Sequence, residues 1–256
     1  MHLTSSVSQW EARISRARTL ASSEPAARDA LTFYAALAAH QQSCYERWAR
    51  RDTLTLDAVH AEIPGFLFWL SANGPTGLAA LAVELARLDR HEWRRFLRLD
   101  LDAIDRAAAF VLEALLQPFA ELTASASANT ALALDSFPVH CPACGTLPVV
   151  GVLREAGHGA KRLLVCARCL TEREYPRVVC VACGGQEFDA LPVYTADRFP
   201  HVRVDACDGC RRYLKTIDLT KNGLAVPVVD DIASVSLDLW ARERGYVRVR
   251  DNLLGF

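Results

Sequence analysis

The sequence predicts an α+β protein: an α-helical N-terminal domain, then two small four-cysteine metal modules, then a C-terminal helix. Two observations carry this prediction. In the first half, apolar residues recur at helical spacing within a chain rich in Ala, Leu and Arg. In the second half, short β-prone runs alternate with four CxxC pairs. The expected boundaries are 1–122 for the helical domain and 123–136 for a linker. The modules are expected at 137–175 and 176–222, with a final helix and tail at 223–256.

The helical stripes are Trp10, Ile14, Ala17 and Ala21, then Leu31, Tyr34, Ala35 and Ala38. They continue with Leu78, Leu81, Ala82, Leu85 and Leu88, and with Ile104, Ala108, Val111 and Leu115. Ser23 followed by Glu24-Pro25 is expected to open a helix, with a cap and then proline in the first turn. Asn73-Gly74-Pro75 and Gly65 punctuate the segments. About five helices are expected to end near Leu122. The small, weakly patterned stretch 123–136 (TASASANTALALDS) follows as the linker.

Beyond it, LPVVGVL, KRLLVC, PRVVC, EFDALPVY, VRVDAC and RRYLKTIDL alternate with turn residues such as Gly157-His158-Gly159 and Gly184-Gly185. A final helix is expected from Asp231 to Arg244. Asp230 or Asp231 would cap it, Ile232, Val235, Leu239 and Trp240 would form its apolar face, and Gly245 would end it.

Composition narrows the function classes. Half of the 256 residues are apolar and under a quarter are charged, as in a globular chain. The start has no basic region followed by an apolar run, and LAALAVELA is interrupted by Glu84. No signal peptide or membrane span is expected, and the protein reads as cytoplasmic. Nine cysteines in a reducing compartment point to metal or redox chemistry rather than to disulfides. The formal net charge of −1 becomes more negative once thiolates bind divalent ions, which opposes a nucleic-acid role.

The pairs are Cys141/Cys144, Cys166/Cys169, Cys180/Cys183 and Cys207/Cys210. Twenty-one residues separate the first from the second, 23 the third from the fourth, and 10 the second from the third. Each longer interval suits a β-hairpin that brings two turns to one tetrahedral S4 site. Sequential pairing is the simplest reading, and an interleaved one is the alternative. A module of about 30 residues is too small for a core alone, whereas a structural tetrathiolate ion contributes an apparent ~10–16 kcal/mol. Thioredoxin-like redox pairs would need a strand-to-helix setting, and iron–sulfur clusters fit hairpin-spaced turns less well. Zinc and iron are equally compatible with S4 donors.

Other residues read as structural. His140, His158 and His201 lie near the pairs but are not needed as ligands, and His40, His60 and His91 have no partnered motif. Cys44 reads as a buried apolar residue. Phe66, Phe68 and Trp69 read as core, with a partner groove as the alternative. Capping explains Asp230-Asp231 more simply than acid–base work. Arg211, Arg212 and Lys215 read as a solvated strand face. No Ser-His-Asp set, phosphate loop or dinucleotide fingerprint is present, so the chain is expected not to be an enzyme.

The runs CPACGTLPV, LLVCARCLTEREYPRVVC, CDGCRRYLKTIDL and VDDIASVSLDLWARERGY resemble the formate dehydrogenase accessory protein (FdhE) family from about Cys141 to Tyr246. A weaker likeness lies in RARTLASSEPAARDALTFYAALAAHQQ. The resemblance implies a helical domain followed by two rubredoxin-like modules, with two iron ions (or zinc), one per four-cysteine site. All eight paired cysteines would be ligands. It also implies a non-catalytic assembly factor that binds the catalytic subunit of a molybdenum- or tungsten-containing formate dehydrogenase. Departures from the family pattern are a shorter N-terminus, Arg173 where tryptophan is usual, and a tail stopping at Phe256. The alternatives are a rubredoxin-like electron carrier or redox sensor and, disfavoured by charge, a zinc-ribbon nucleic-acid binder.

Overall fold

The computed structural model describes residues 2–97, 104–127 and 138–256. Among these, six α-helices make up the N-terminal half: α1 His2–Ser23, α2 Arg28–Trp48, α3 Leu56–Asn73, α4 Thr76–Leu85, α5 Arg90–Phe96 and α6 Arg106–Ser127. The predicted stripes face inward. Trp10, Ile14 and Ala17 of α1 are buried against Leu31, Tyr34, Ala35 and Ala38 of α2, while Val111 and Leu115 of α6 join a second cluster with Val59, Phe66 and Leu70 of α3. Within the aromatic run of α3, Phe66 is buried, Trp69 is partly buried and Phe68 is exposed.

Three local expectations are corrected. Ser23 does not cap the next helix: its hydroxyl donates back to the Leu20 carbonyl at 3.4 Å, and Pro25 opens a 3-10 turn, Pro25–Ala27, that leads into α2. A short extra helix, α5, is opened by a capping box between Asp89 and Glu92, a signal the apolar stripes do not contain. Residues 123–127 of the expected linker are the last turn of α6, and 128–136 lie outside the described residues. By length and composition Arg106–Ser125 could cross a membrane, yet 56% of it is buried inside the protein. A core helix passes the same test.

The second half holds strands β1 Pro148–Ala156, β2 Gly159–Cys166, β3 Glu172–Glu174, β4 Val193–Thr195, β5 Val202–Cys207, β6 Arg212–Asp218 and β7 Val247–Arg248. They form one sheet in the order β3-β2-β1-β6-β5-β4, with β7 beside β6. β1 and β2 are joined by a two-residue turn whose Gly157 has φ +56, the left-handed geometry that hairpin turns favour. The two cysteine-bearing segments therefore contribute β3-β2-β1 and β6-β5-β4. They meet where β1 runs parallel to β6 through Gly151↔Thr216, Val152↔Ile217 and Leu153↔Asp218. PRVVC forms no strand, and EFDALPVY becomes a 3-10 turn, Phe188–Ala190, followed by the short edge strand β4.

The expected single C-terminal helix is two: α7 Pro227–Ala233 and α8 Val235–Glu243, broken at Ser234. Gly245, φ +76, ends α8 with paired bonds from Gly245 N–H to the Arg242 carbonyl and Tyr246 N–H to the Ala241 carbonyl. Neither aspartate precedes the helix. Both lie inside α7 and are buried, although the Asp230 carboxylate reaches back to accept the Val226 N–H at 2.8 Å. Val229, Ile232 and Ala233 of α7 complete the core of α1 and α2. At roughly 1.5–3 kcal/mol for each large apolar side chain buried, this contact ties the C-terminal region to the helical half.

Candidate metal centres

Each CxxC pair closes a tight turn through its backbone. Gly145 N–H donates to the Cys141 carbonyl at 2.7 Å and Cys141 N–H to the Thr146 carbonyl at 2.8 Å. The third pair repeats this with Gly184 to Cys180 at 3.0 Å and Cys180 to Gly185 at 2.8 Å. The residue after every pair is left-handed: Gly145 has φ 75, Leu170 53, Gly184 74 and Arg211 57. This conformation turns the chain so that both sulfurs of a pair face one point. Glycine adopts it without a Cβ penalty, whereas Leu170 and Arg211 each bear a cost of about 1–2 kcal/mol. Their side chains offset it: Leu170 packs on the sheet core, and Arg211 lies 4.0 Å over the Tyr246 ring.

The turns meet in sequential pairs. The Sγ atoms of Cys141, Cys144, Cys166 and Cys169 all lie within 4.8 Å of one another, as do those of Cys180, Cys183, Cys207 and Cys210. Cross-pair Sγ···Sγ distances are 3.5 Å (Cys141–Cys169), 3.3 Å (Cys144–Cys166), 3.7 Å (Cys180–Cys210) and 3.8 Å (Cys183–Cys207). A tetrahedral ion with metal–sulfur bonds of about 2.3 Å requires edges of about 3.8 Å. The donor sets therefore fit one ion each, and no disulfide competes, since all nine cysteines are free.

Bonds from Cys141, Cys166 and Cys169 pull the Cys144 thiol far below its ordinary range, while bonds with Cys141, Cys144 and Cys169 push Cys166 far above it. Burial pushes Cys210 up to about 12, whereas the Gly185 N–H helps lower Cys183. Four thiolates this close cannot all ionise unless a positive ion compensates them.

The surroundings of the two groups differ. Ala120 and Ala124 of α6 pack directly on Cys141, Cys166 and Cys169. The Thr171 hydroxyl lies 3.2 Å from Cys169 Sγ. Glu113 of α6 binds Arg168 through two bonds of 3.1 and 3.0 Å and Arg250 at 3.1 Å. In the other group Cys183 is exposed and Cys210 half-buried, and Asp208 N–H of its last turn bonds the Ala190 carbonyl at 2.8 Å. His140 and His158 are exposed, and His201 bonds Asp230 at 2.8 Å; none belongs to either sulfur group. Cys44 is buried in α2, its thiol pushed up to about 11 mainly by burial. Arg173 donates to the Val139 carbonyl, beside the first turn.

Lys215 is not on a solvated face. It is fully buried, with Nζ 2.6 Å from Asp238 and 3.1 Å from Asp231, and Arg248 reaches the same two carboxylates at 3.1 and 2.5 Å. Tyr213 and Asn252 complete the cluster, each 2.8 Å from a carboxylate oxygen. A signal was present in the strand pattern, because Lys215 shares its face with apolar Tyr213 and Ile217 two residues either side.

Comparison with known proteins finds matches in the cysteine half. Residues 140–177 match "FdhE, central domain" and residues 178–254 match "FdhE, C-terminal domain". The "Protein FdhE homolog" of Aquifex aeolicus is 44% identical over 122 residues, 47% of this chain and 43% of the relative. That of Pseudomonas aeruginosa is 35% identical over 119 residues, 44% of this chain and 38% of the relative. The chain thus spans less than half the length of the curated relatives it matches. The crystal structure of the FdhE protein from Pseudomonas aeruginosa superposes with a TM-score of 0.74 at 24% identity, covering 97% of this chain and 95% of that one. Residues 140–254 thus match FdhE domain models, and the chain as a whole has the fold of the solved FdhE protein.

Proposed function

We propose that this protein is a non-catalytic accessory factor that binds the catalytic subunit of a molybdenum- or tungsten-dependent formate dehydrogenase during its assembly in the cytoplasm. All eight paired cysteines serve as ligands, four to each of two iron or zinc ions. The observation that carries the reading is the coincidence of both four-thiol groups with the stretch that matches FdhE domains. Bound ions supply positive charge and a rigid cross-link; the turns, the sheet and α6 position the thiols that hold them. The chain is proposed to divide into a helical domain that runs to the end of α6, a linker after it, metal modules at 137–175 and 176–222, and a C-terminal unit, 223–256. Client contact is expected to be transient, with an interface nearer ~1,200 Å² than an obligate one.

The test is co-purification of the formate dehydrogenase catalytic subunit with the tagged protein, alongside gene deletion. Binding is expected, and deletion should lower formate dehydrogenase activity while its transcript is unchanged. One observation favours a second reading, an electron carrier: the exposed Cys183 puts the second group within reach of an acceptor. Absence of client binding, together with electron transfer to an acceptor protein by the iron-loaded chain, would replace the first reading with the second.

A further inference from the structure

We propose that the two sulfur groups divide their work: the first is a permanent structural centre beneath α6, and the second is an exchange centre through which metal enters and leaves. This rests on the proposal that both groups hold metal, but not on any client. Ligand exchange at a four-coordinate thiolate site begins when an incoming donor approaches an open side of the ion, so access to the sulfurs sets the rate.

At the first group Cys141, Cys166 and Cys169 are 3%, 0% and 4% exposed, and Cys144 is half-buried. The cover is a helix, not a mobile side chain. Ala120 and Ala124 cluster with these cysteines, and one turn of α6 earlier Gln117 Nε2 reaches the Ala167 carbonyl at 3.5 Å. Glu113 then clamps Arg168, inside the second CxxC, together with Arg250 of the tail. Reaching the three buried sulfurs of this group means lifting α6 from the sheet, a local unfolding event that also breaks the Glu113 ion pairs.

The second group includes Cys207 at the end of β5 and Cys210 in the turn to β6. Cys183 is exposed, Cys210 is half-buried, and the turn between Cys183 and the next segment is the bare pair Gly184-Gly185. An incoming thiolate or chelator nitrogen bonds to the ion as the Cys183 sulfur–metal bond breaks. The freed Cys183 thiolate takes a proton from solvent, and no oxidation state changes. Cys180 and Cys207, both buried, keep the ion anchored during the exchange.

The experiment uses the full chain loaded with two zinc ions. Zinc release to the chromophoric chelator 4-(2-pyridylazo)resorcinol is followed over time, and cysteines freed at each stage are trapped with N-ethylmaleimide and mapped by mass spectrometry. Two phases are expected, one equivalent leaving roughly ten-fold or more faster than the other, since only the slow one requires local unfolding. Alkylation in the fast phase should fall on Cys183 and Cys210. Glu113→Gln, which weakens the clamp on α6, should speed the slow phase and leave the fast one unchanged. Release of both equivalents at one rate, or a fast phase mapping to Cys141, Cys144, Cys166 or Cys169, would overturn the proposal. A chain that loads fewer than two equivalents would overturn the metal assignment with it, whatever the outcome of client co-purification.

Discussion

Four positions, 145, 170, 184 and 211, share one backbone conformation, and two of them avoid its cost by being glycine. An added Cβ at Gly145 meets nothing within 4 Å, so Gly145→Ala tests conformation alone and is expected to destabilise by about 1–2 kcal/mol in urea unfolding. Gly151 is a glycine for a different reason. Its φ is ordinary, but a Cβ there would stand 2.3 Å from the Thr216 hydroxyl across the β1–β6 seam, and that hydroxyl is held by Asp205 at 2.7 Å. Gly151→Ala therefore overpacks the junction between the two halves of the sheet, with an expected loss of about 1–3 kcal/mol. A variant as stable as the parent would show that the seam yields without cost. Sequence alone marks Gly145 through its place after a CxxC, but nothing local distinguishes Gly151 from any strand glycine.

Among the elements, α7 joins the helical half to the sheet. One face plugs the α1–α2 core, and its acidic pair reaches in two directions. Asp230 takes two bonds from Arg16 of α1, at 3.0 and 2.5 Å, and one from His201. Burial pulls its carboxyl up, yet His201, Arg16 and the Val226 N–H outweigh burial and hold it below the usual range. A folded value below the unfolded one means that stability is present above the ordinary aspartate range, near pH 3.9, and is lost as pH falls through the lower folded value. Asp230→Asn should flatten the acid limb of a melting-temperature profile, and an unchanged limb would assign acid sensitivity to other groups. Asp231 faces the sheet, where it shares Lys215 and Arg248 with Asp238. Asp231→Ala leaves buried cations undercompensated and is expected to cost about 3–5 kcal/mol, measured by thermal or urea unfolding.

For the whole molecule, the two metal groups differ in what depends on them. Cys207→Ser should disorder the second group and its turns while helical circular dichroism persists, because the cores of α1–α6 do not touch those sulfurs. Cys141→Ser removes the group on which Ala120 and Ala124 pack, so it should also loosen α6. The measurement is circular dichroism with metal content for each variant. Equal loss of helical signal in both would show that the sheet, rather than the first group, carries the coupling. Since a structural S4 ion is worth an apparent ~10–16 kcal/mol, chelation of both ions should unfold the cysteine half before the helical one.

The sequence by itself determined the eight thiols, their sequential pairing as the simplest choice and the inward stripes of α1, α2 and α6. These are local: two-residue spacing puts two sulfurs on one turn, and a 3.6-residue period puts apolar groups on one face. It also marked Gly245 as a helix end, through a backbone conformation that favours glycine. Tertiary structure decided the rest. Lys215 looked solvated because charge is the stronger local cue, and only α7, α8 and β7 converging on β6 supply the two carboxylates and the neighbouring arginine that bury it as one balanced cluster. The final helix looked continuous because its apolar period is unbroken, yet Ser234 turns its hydroxyl to the Asp230 carbonyl at 2.8 Å and accepts Lys215 at 3.2 Å where the helix breaks. The joining of two metal modules into one sheet, and the covering of only one by α6, depend on contacts between residues far apart in the chain. No local pattern encodes them, because their energy arises only once distant surfaces exclude water from each other.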